Sequence, residues 1–360
     1  MVRVLPDSCR WIAAPCPEPS HAHALAAKRR QASLTKPPGS LGALETIAIS
    51  LAALQRTDRP RAVWAPILLF AGDHGITAQR VSAYPSVVTV EMLRNFARGG
   101  AAISVFARQL GVSLTVIDAG TLAEERLVGV VMDKPRRGTR DFSREPAMSA
   151  EEVAFALGCG RRAVARIARN GADLALLGDM GIGNTTSSAA VAAAILGRPA
   201  HALAGAGTGL DVEGIAHKAS VIAASLALHG LAGREAEPWD GLAAVGGLEI
   251  AALTGAIIAA AQEALPVLVD GFVVSVAALA AVRLNPGVRP WLLFSHRSAE
   301  SGHAIVLDAL EARPILDLGL RLGEGSGAAA ALPLVRIACA LHADMATFEE
   351  AAISGAPPCP

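Results

Sequence analysis

Three glycine-rich clusters in the 360-residue chain carry the side chains best suited to chemistry. The first, Gly178-Asp179-Met180-Gly181-Ile182-Gly183-Asn184-Thr185-Thr186, follows an apolar run at 174–177 and precedes an alanine-rich helical stretch at 187–196. Glycine lets the backbone approach a ligand, and the N–H groups at a helix start face it with the positive end of the dipole, so an anion such as phosphate fits. Asn184, Thr185 and Thr186 add side-chain donors. The cluster is neither a Walker A loop nor Gly-x-Gly-x-x-Gly, so a mononucleotide suits it better than a nucleoside triphosphate or a dinucleotide. A turn glycine pair followed by a threonine cap is the plainer alternative.

The second cluster, Gly205-Ala206-Gly207-Thr208-Gly209-Leu210-Asp211, precedes a helical stretch at 212–229 with Asp211 as its N-cap. Lys218, the only lysine after Lys134, is either a counter-charge for that phosphate or an exposed helical lysine. The third, Gly323-Glu324-Gly325-Ser326-Gly327, lies between an apolar run at 315–318 and a helix expected from about 328. A carboxylate flanked by glycines at a strand-to-helix turn is open to a substrate and can act as a general base, although a lone surface glutamate would look the same. The helix dipole favours its ionised form, while closure of an apolar pocket would raise its pKa. Asp73-His74 and Ser295-His296-Arg297-Ser298-Ala299-Glu300 also end apolar runs. Their spacing matches neither a zinc motif nor the Gly-x-Ser-x-Gly elbow of hydrolases, so no metal is expected.

Six apolar runs supply the expected strands: 67–70, 114–117, 174–177, 267–269, 292–294 and 315–318. Each alternates with helical sequence, the pattern of doubly buried strands in a parallel, doubly wound α/β sheet whose ligands bind at the strands' carboxyl ends. Helical stretches at both termini flank this region, and the first is broken at 36–42 by Lys-Pro-Pro-Gly-Ser-Leu-Gly. Ser149 and Glu152 form a capping box for a helix to about 168, and the arginine-rich segment 133–146 reads as a solvated loop. Hydrophobic types make up 52% but aromatics only 4%, so a small-residue core with close helix packing is expected. Lys plus Arg (32) equals Asp plus Glu (32), which argues against a nucleic-acid partner. No uninterrupted stretch of about 20 apolar residues and no apolar leader is present, so neither a membrane span nor secretion is expected, and the cytoplasm is the default. The five cysteines form no Cys-x-x-Cys pair and read as buried or incidental thiols.

Taken in order, these clusters resemble the nicotinate-nucleotide:dimethylbenzimidazole phosphoribosyltransferase family of cobalamin lower-ligand assembly. The resemblance spans about residues 30–350 and adds Gly72-Asp73-His74-Gly75, Val81-Ser82-Ala83-Tyr84-Pro85, Gly246-Gly247-Leu248-Glu249 and Asp270-Gly271-Phe272 to the segments already named. It implies transfer of phosphoribose from nicotinate mononucleotide to 5,6-dimethylbenzimidazole with inversion at C1′, and Glu324 as the base. It places Asp179, Gly181, Gly183, Asn184, Thr185, Lys218 and Ser298 around the nucleotide, and Ser82, Glu91 and Leu322 around the benzimidazole. Asp179 stands where many relatives carry Glu, and Glu91 where they often carry Gln. No cofactor is implied. The family's architecture implies a homodimer, with a Rossmann-like large domain at 61–327 and a small helical domain built from 1–60 and 328–360. The rival readings are a nicotinamide-dependent dehydrogenase, which lacks its glycine fingerprint here, and a non-catalytic mononucleotide sensor, which would have no use for Glu324.

Overall fold

The apolar runs become one six-stranded parallel sheet in the computed structural model, which describes residues 6–354. Its strands are β1 (Ile67–Gly72), β2 (Leu114–Gly120), β3 (Val130–Met132), β4 (Ala175–Met180), β5 (Val267–Val269) and β6 (Leu292–Phe294). Their spatial order is β3-β2-β1-β4-β5-β6, the Rossmann order, so the winding reverses between β1 and β4. The helices are α1 (His21–Ser33), α2 (Ala43–Gln55), α3 (Val87–Arg98), α4 (Ala102–Leu110), α5 (Ala150–Arg169) and α6 (Asn184–Leu196), then α7 (Val212–Leu228), α8 (Pro238–Val245), α9 (Leu248–Gln262), α10 (Phe272–Leu284), α11 (His303–Ala309) and α12 (Ser326–Asp344). Alternate strand residues serve opposite faces. Leu68, Phe70, Leu177 and Val267 join a core with α5 to α11, whereas Ile67, Leu69, Leu176 and Leu268 join a second core with α2, α3, α4 and α12.

Local rules account for most helix boundaries. Ser149 and Glu152 form the reciprocal capping box that opens α5, and the Asp211 carboxylate accepts the Gly214 N–H at 2.8 Å to open α7. The break at 36–42 separates α1 from α2, and there Lys36 Nζ pairs with Glu45 at 2.7 Å. Two helices start earlier than expected, α6 at Asn184 and α12 at Ser326. The run at 315–318 is not a strand. It makes a single parallel bridge, Leu316 with His296, and leaves Asp317 and Leu318 exposed, so it lacks the cover that a doubly buried strand requires. The sixth strand is instead β3, a three-residue strand at the edge of the sheet with only Val130 buried, which the sequence reading did not single out.

The arginine-rich segment 133–146 is anchored rather than solvated. Phe142 is buried, and Arg140 holds Glu152 at 2.6 Å while its backbone N–H reaches the Ala147 carbonyl. The two chain ends meet, with the Arg30 guanidinium donating to the carbonyl oxygens of His342 (2.5 Å), Ala343 (2.8 Å) and Met345 (3.2 Å). Cys9, Cys159 and Cys339 are buried free thiols and Cys16 is a half-buried one. Cys359 and the proline-rich tail at 357–360 lie outside the described residues. α12 is long and apolar enough to cross a membrane, but Ala328, Leu332, Val335 and Cys339 on it are buried in the second core.

Small residues let the helices approach to backbone contact. A Cβ on Gly160 of α5 would overlap the Ala252 carbonyl oxygen of α9, and one on Gly255 of α9 would overlap that of Leu157. Gly160→Val is therefore expected to destabilise the fold by about 3 kcal/mol, because rigid backbone, not a flexible side-chain tip, must move. Urea denaturation measures this, and an unchanged midpoint would show that α5 and α9 can separate freely.

Candidate active site

Glu324 occupies a backbone conformation that costs a residue with a Cβ about 1–3 kcal/mol. Its φ is +63°, between Gly323 at +81° and Gly325 at +84°. Asp270, just beyond β5, holds this turn: its carboxylate accepts the N–H of Gly325 at 3.1 Å and that of Ala328 at 2.9 Å. The Glu324 N–H donates to the Asp179 carbonyl at 3.2 Å. Gly178 makes that docking possible, since a Cβ there would lie 2.6 Å from the Glu324 backbone.

The turn closes one side of a cavity of about 440 Å³ at the carboxyl ends of β4, β5 and β6. Asp179, Gly181, Asn184 and Thr185 line it from β4 and the start of α6, Phe272 from α10, and His296, Ser298 and Glu300 from beyond β6. Tyr84, Val88 and Met92 form an apolar wall opposite. Glu324 Oε2 and Glu300 Oε2 are buried without hydrogen-bond partners, the latter close against Gly205. Lys218 is buried behind Thr185, with Nζ donating to Thr185 Oγ1 at 2.9 Å and to the Gly205 carbonyl at 3.1 Å. The exposed-lysine alternative therefore falls.

The β1 side of the switch point is filled instead. His74 Nε2 lies 2.7 Å from Glu249 Oε1, and Nδ1 lies 2.8 Å from Ser187 Oγ. A carboxylate only accepts, so Nε2 donates, and in the neutral ring Nδ1 accepts the Ser187 hydroxyl. The order is that of a hydrolytic triad, but all three residues are buried and none lines the cavity. They tie the ends of β1, α6 and α9 together.

Burial governs the titratable groups. Desolvation pushes Asp179 well above the carboxylate range, helped by the nearby Asp270 and Glu249. Glu324 is raised by burial, against the backbone N–H of Ile103, which lowers it, and Asp270 adds a smaller push upward. Desolvation lowers Lys218 to about 8 and His303 to about 3. The neutral His303 accepts the Ser298 N–H at Nδ1 (2.8 Å) and pairs through Nε2 with Ser275 (2.9 Å), fixing Ser298 at the wall.

Comparison with known proteins decides the family. A phosphoribosyltransferase family profile matches residues 16–353. Nicotinate-nucleotide–dimethylbenzimidazole phosphoribosyltransferase of Bradyrhizobium sp. strain BTAi1 is 64% identical over 352 residues, 98% of this chain and 99% of that one. The protein of that name from Pseudomonas aeruginosa PAO1 is 56% identical over 351 residues, 97% and 99% of the two chains. The crystal structure of CobT from Thermus thermophilus superimposes with a TM-score of 0.89 at 43% identity, over 93% of this chain and 100% of that chain. The chain belongs to the nicotinate-nucleotide–dimethylbenzimidazole phosphoribosyltransferase family. It is a phosphoribosyltransferase.

Of the residues singled out in this phosphoribosyltransferase from sequence, Asp179, Gly181, Asn184, Thr185, Ser298, Leu322 and Glu324 meet at the cavity. Gly183, the left-handed N-cap of α6 at φ +94°, packs on His74 instead. Ser82 stands one contact away, its Oγ 3.1 Å from that of the lining residue Thr208. Glu91 is exposed on α3 and does not line the cavity. The sequence reading gave no role to Val88, Met92, Arg321 or Asp270. Val88 and Met92 were detectable as an i, i+4 apolar pair, whereas Asp270 acts through backbone groups some 55 residues away, which no local pattern signals.

The raised Glu324 has a consequence for stability. In the unfolded chain it titrates at its ordinary value and in the folded enzyme at a higher one, so the folded state holds the proton more tightly between the two. Stability therefore falls as pH rises through that window. Glu324→Gln, which does not ionise, is expected to be more stable than wild type above the window, with the gain vanishing below it. Denaturant midpoints over a pH series check this, and a gain undiminished in acid would place its origin elsewhere.

Proposed function

We propose that this enzyme transfers phosphoribose from nicotinate mononucleotide to 5,6-dimethylbenzimidazole, releasing nicotinate and forming α-ribazole phosphate for the nucleotide loop of cobalamin. The observation that carries the reading is Glu324, a lining residue of the cavity held in strained backbone at the strand ends, with one carboxylate oxygen buried and without a hydrogen-bond partner. The names of the relatives supply the substrates.

The leaving base of the mononucleotide is a cationic pyridinium, so its glycosidic electron pair neutralises the ring as it departs and no general acid is required. One benzimidazole nitrogen attacks C1′ from the opposite face, which inverts the anomeric centre. The other N–H becomes acidic as that bond forms, and Glu324 takes its proton before passing it to solvent. A base raised by burial suits this step, since its pKa lies closer to working pH. The start of α6, with Asn184, Thr185 and the buried Lys218, holds the 5′-phosphate. Leu322, Tyr84, Val88 and Met92 form the apolar slot for the benzimidazole, with Ser82 bracing it through Thr208. Asp179 is one methylene shorter than glutamate, and its bond from Asn184 Nδ2 (2.8 Å) turns it toward α6. Tyr84 and Leu322 remain exposed at the mouth, consistent with a homodimer that covers them. The joined chain ends at Arg30 suit a small domain built from both termini.

Nicotinate release measured with and without dimethylbenzimidazole tests the reaction. Glu324→Gln is expected to retain mononucleotide binding and lower kcat by roughly 10²–10⁴-fold, whereas near-normal turnover would remove Glu324 from the role. The pyridinium needs no Lewis acid, so turnover is expected to persist in excess chelator. Loss restored by one divalent ion would contradict the mechanism.

A further inference from the structure

The charges of the cavity do not balance those of a mononucleotide. Among its lining residues Asp179, Glu300 and Glu324 are acids, and Arg321 is the only lysine or arginine. Lys218 lies behind the wall with two of its three N–H bonds already spent on Thr185 and Gly205. The neighbouring Glu300 carboxylate offsets part of its charge. A phosphate monoester carries about two negative charges near neutral pH, more than one half-committed ammonium answers.

Arg321 stands across Gly207 from that ammonium. Its Nη1 lies 3.5 Å from the Gly207 carbonyl oxygen, a long contact and the one polar contact seen for it among the described residues. Gly207 is left-handed at φ +54°, and a Cβ on it would lie 2.7 Å from Thr185 Oγ1 and 3.3 Å from Lys218 Nζ. One bare glycine therefore separates the buried cation from the one at the mouth.

We propose that Arg321 is a second phosphate-binding group, closing over the 5′-phosphate from the mouth while Lys218 and the start of α6 hold it from below. This rests on the mononucleotide reading above. The planar guanidinium can grip two phosphate oxygens at once and stays charged at every working pH, whereas Lys218 does not. Its exposure lets it leave Gly207 when substrate enters.

Three donor substrates test the assignment: nicotinate mononucleotide, nicotinamide mononucleotide, which lacks the carboxylate, and nicotinate riboside, which lacks the phosphate. Arg321→Gln is expected to raise KM for both mononucleotides by a common factor of about 10–100, the loss typical of a charge-assisted contact. The riboside's kcat/KM and the KM for dimethylbenzimidazole are expected to stay within about twofold of wild type, and Arg321→Lys to recover part of the loss. An increase confined to nicotinate mononucleotide would move Arg321 to the carboxylate and overturn the proposal, as would unchanged KM values. Failure of the wild-type enzyme to use nicotinate mononucleotide would instead overturn the function proposed above. Calorimetry with ribose 5-phosphate then decides Arg321 separately: weaker binding by Arg321→Gln than by wild type supports the proposal, and equal binding or none to either overturns it.

Discussion

The buried carboxylate of Asp270 is the interaction on which the active site hangs. It stands just beyond β5 and accepts the backbone N–H groups of Gly325 and Ala328. Those are donors that the start of α12 would otherwise leave unmade. With them it locks three successive left-handed residues, 323–325, against the ends of the strands. Burial raises Asp270, and His296, 3.8 Å away, pulls the other way, as do the three backbone donors facing it. Each of those groups favours negative charge and so offsets part of the desolvation cost. Glu324 has no such support on Oε2, so one carboxylate holds the turn while its neighbour keeps an oxygen without a partner.

The sheet has the strand order of dinucleotide-binding domains, yet the ligand cavity is shifted to one side of the switch point. The reason lies at the end of β1. His74, Glu249 and Ser187 fill that corner with hydrogen bonds of 2.7 and 2.8 Å, and Gly181 brings β4 so close that a Cβ there would overlap the Gly72 carbonyl oxygen. A pyrophosphate has no room beside β1, so the open ends are those of β4, β5 and β6. The cavity's volume of about 440 Å³ lies within the usual range of small-molecule sites.

Fold class, most helices and most of the cavity wall were legible in sequence because they follow local rules. Asp211 and Ser149 cap helices through partners within three residues, and the doubly buried strands are continuous apolar runs. What escaped depends on partners distant in the chain. The local pattern leaves Lys218 open between a phosphate counter-charge and a surface lysine, and only the packing of α6 and the Gly205 turn over it decides that it is buried. Residues 315–318 read as a strand because their composition is apolar, but they run along an edge that leaves Asp317 and Leu318 in solvent. Glu91 belongs to the same helix as the lining pair Val88 and Met92, and a rotation of the helical wheel decides that it faces outward.

These features share a physical cost. Asp179, Asp270 and Glu324 bring three carboxyls into one water-poor region, with Glu249 close by, and each of the three is destabilised in its charged form by desolvation. Such a cluster persists only if the scaffold around it is overdetermined. The glycine and alanine faces of α5 and α9 provide this, since helices in backbone contact resist shifting to let water in. Few aromatics are needed for such a core, and few are present. The small-residue composition is thus tied to the chemistry: close packing of backbones holds still a set of acids that would otherwise push the strand ends apart.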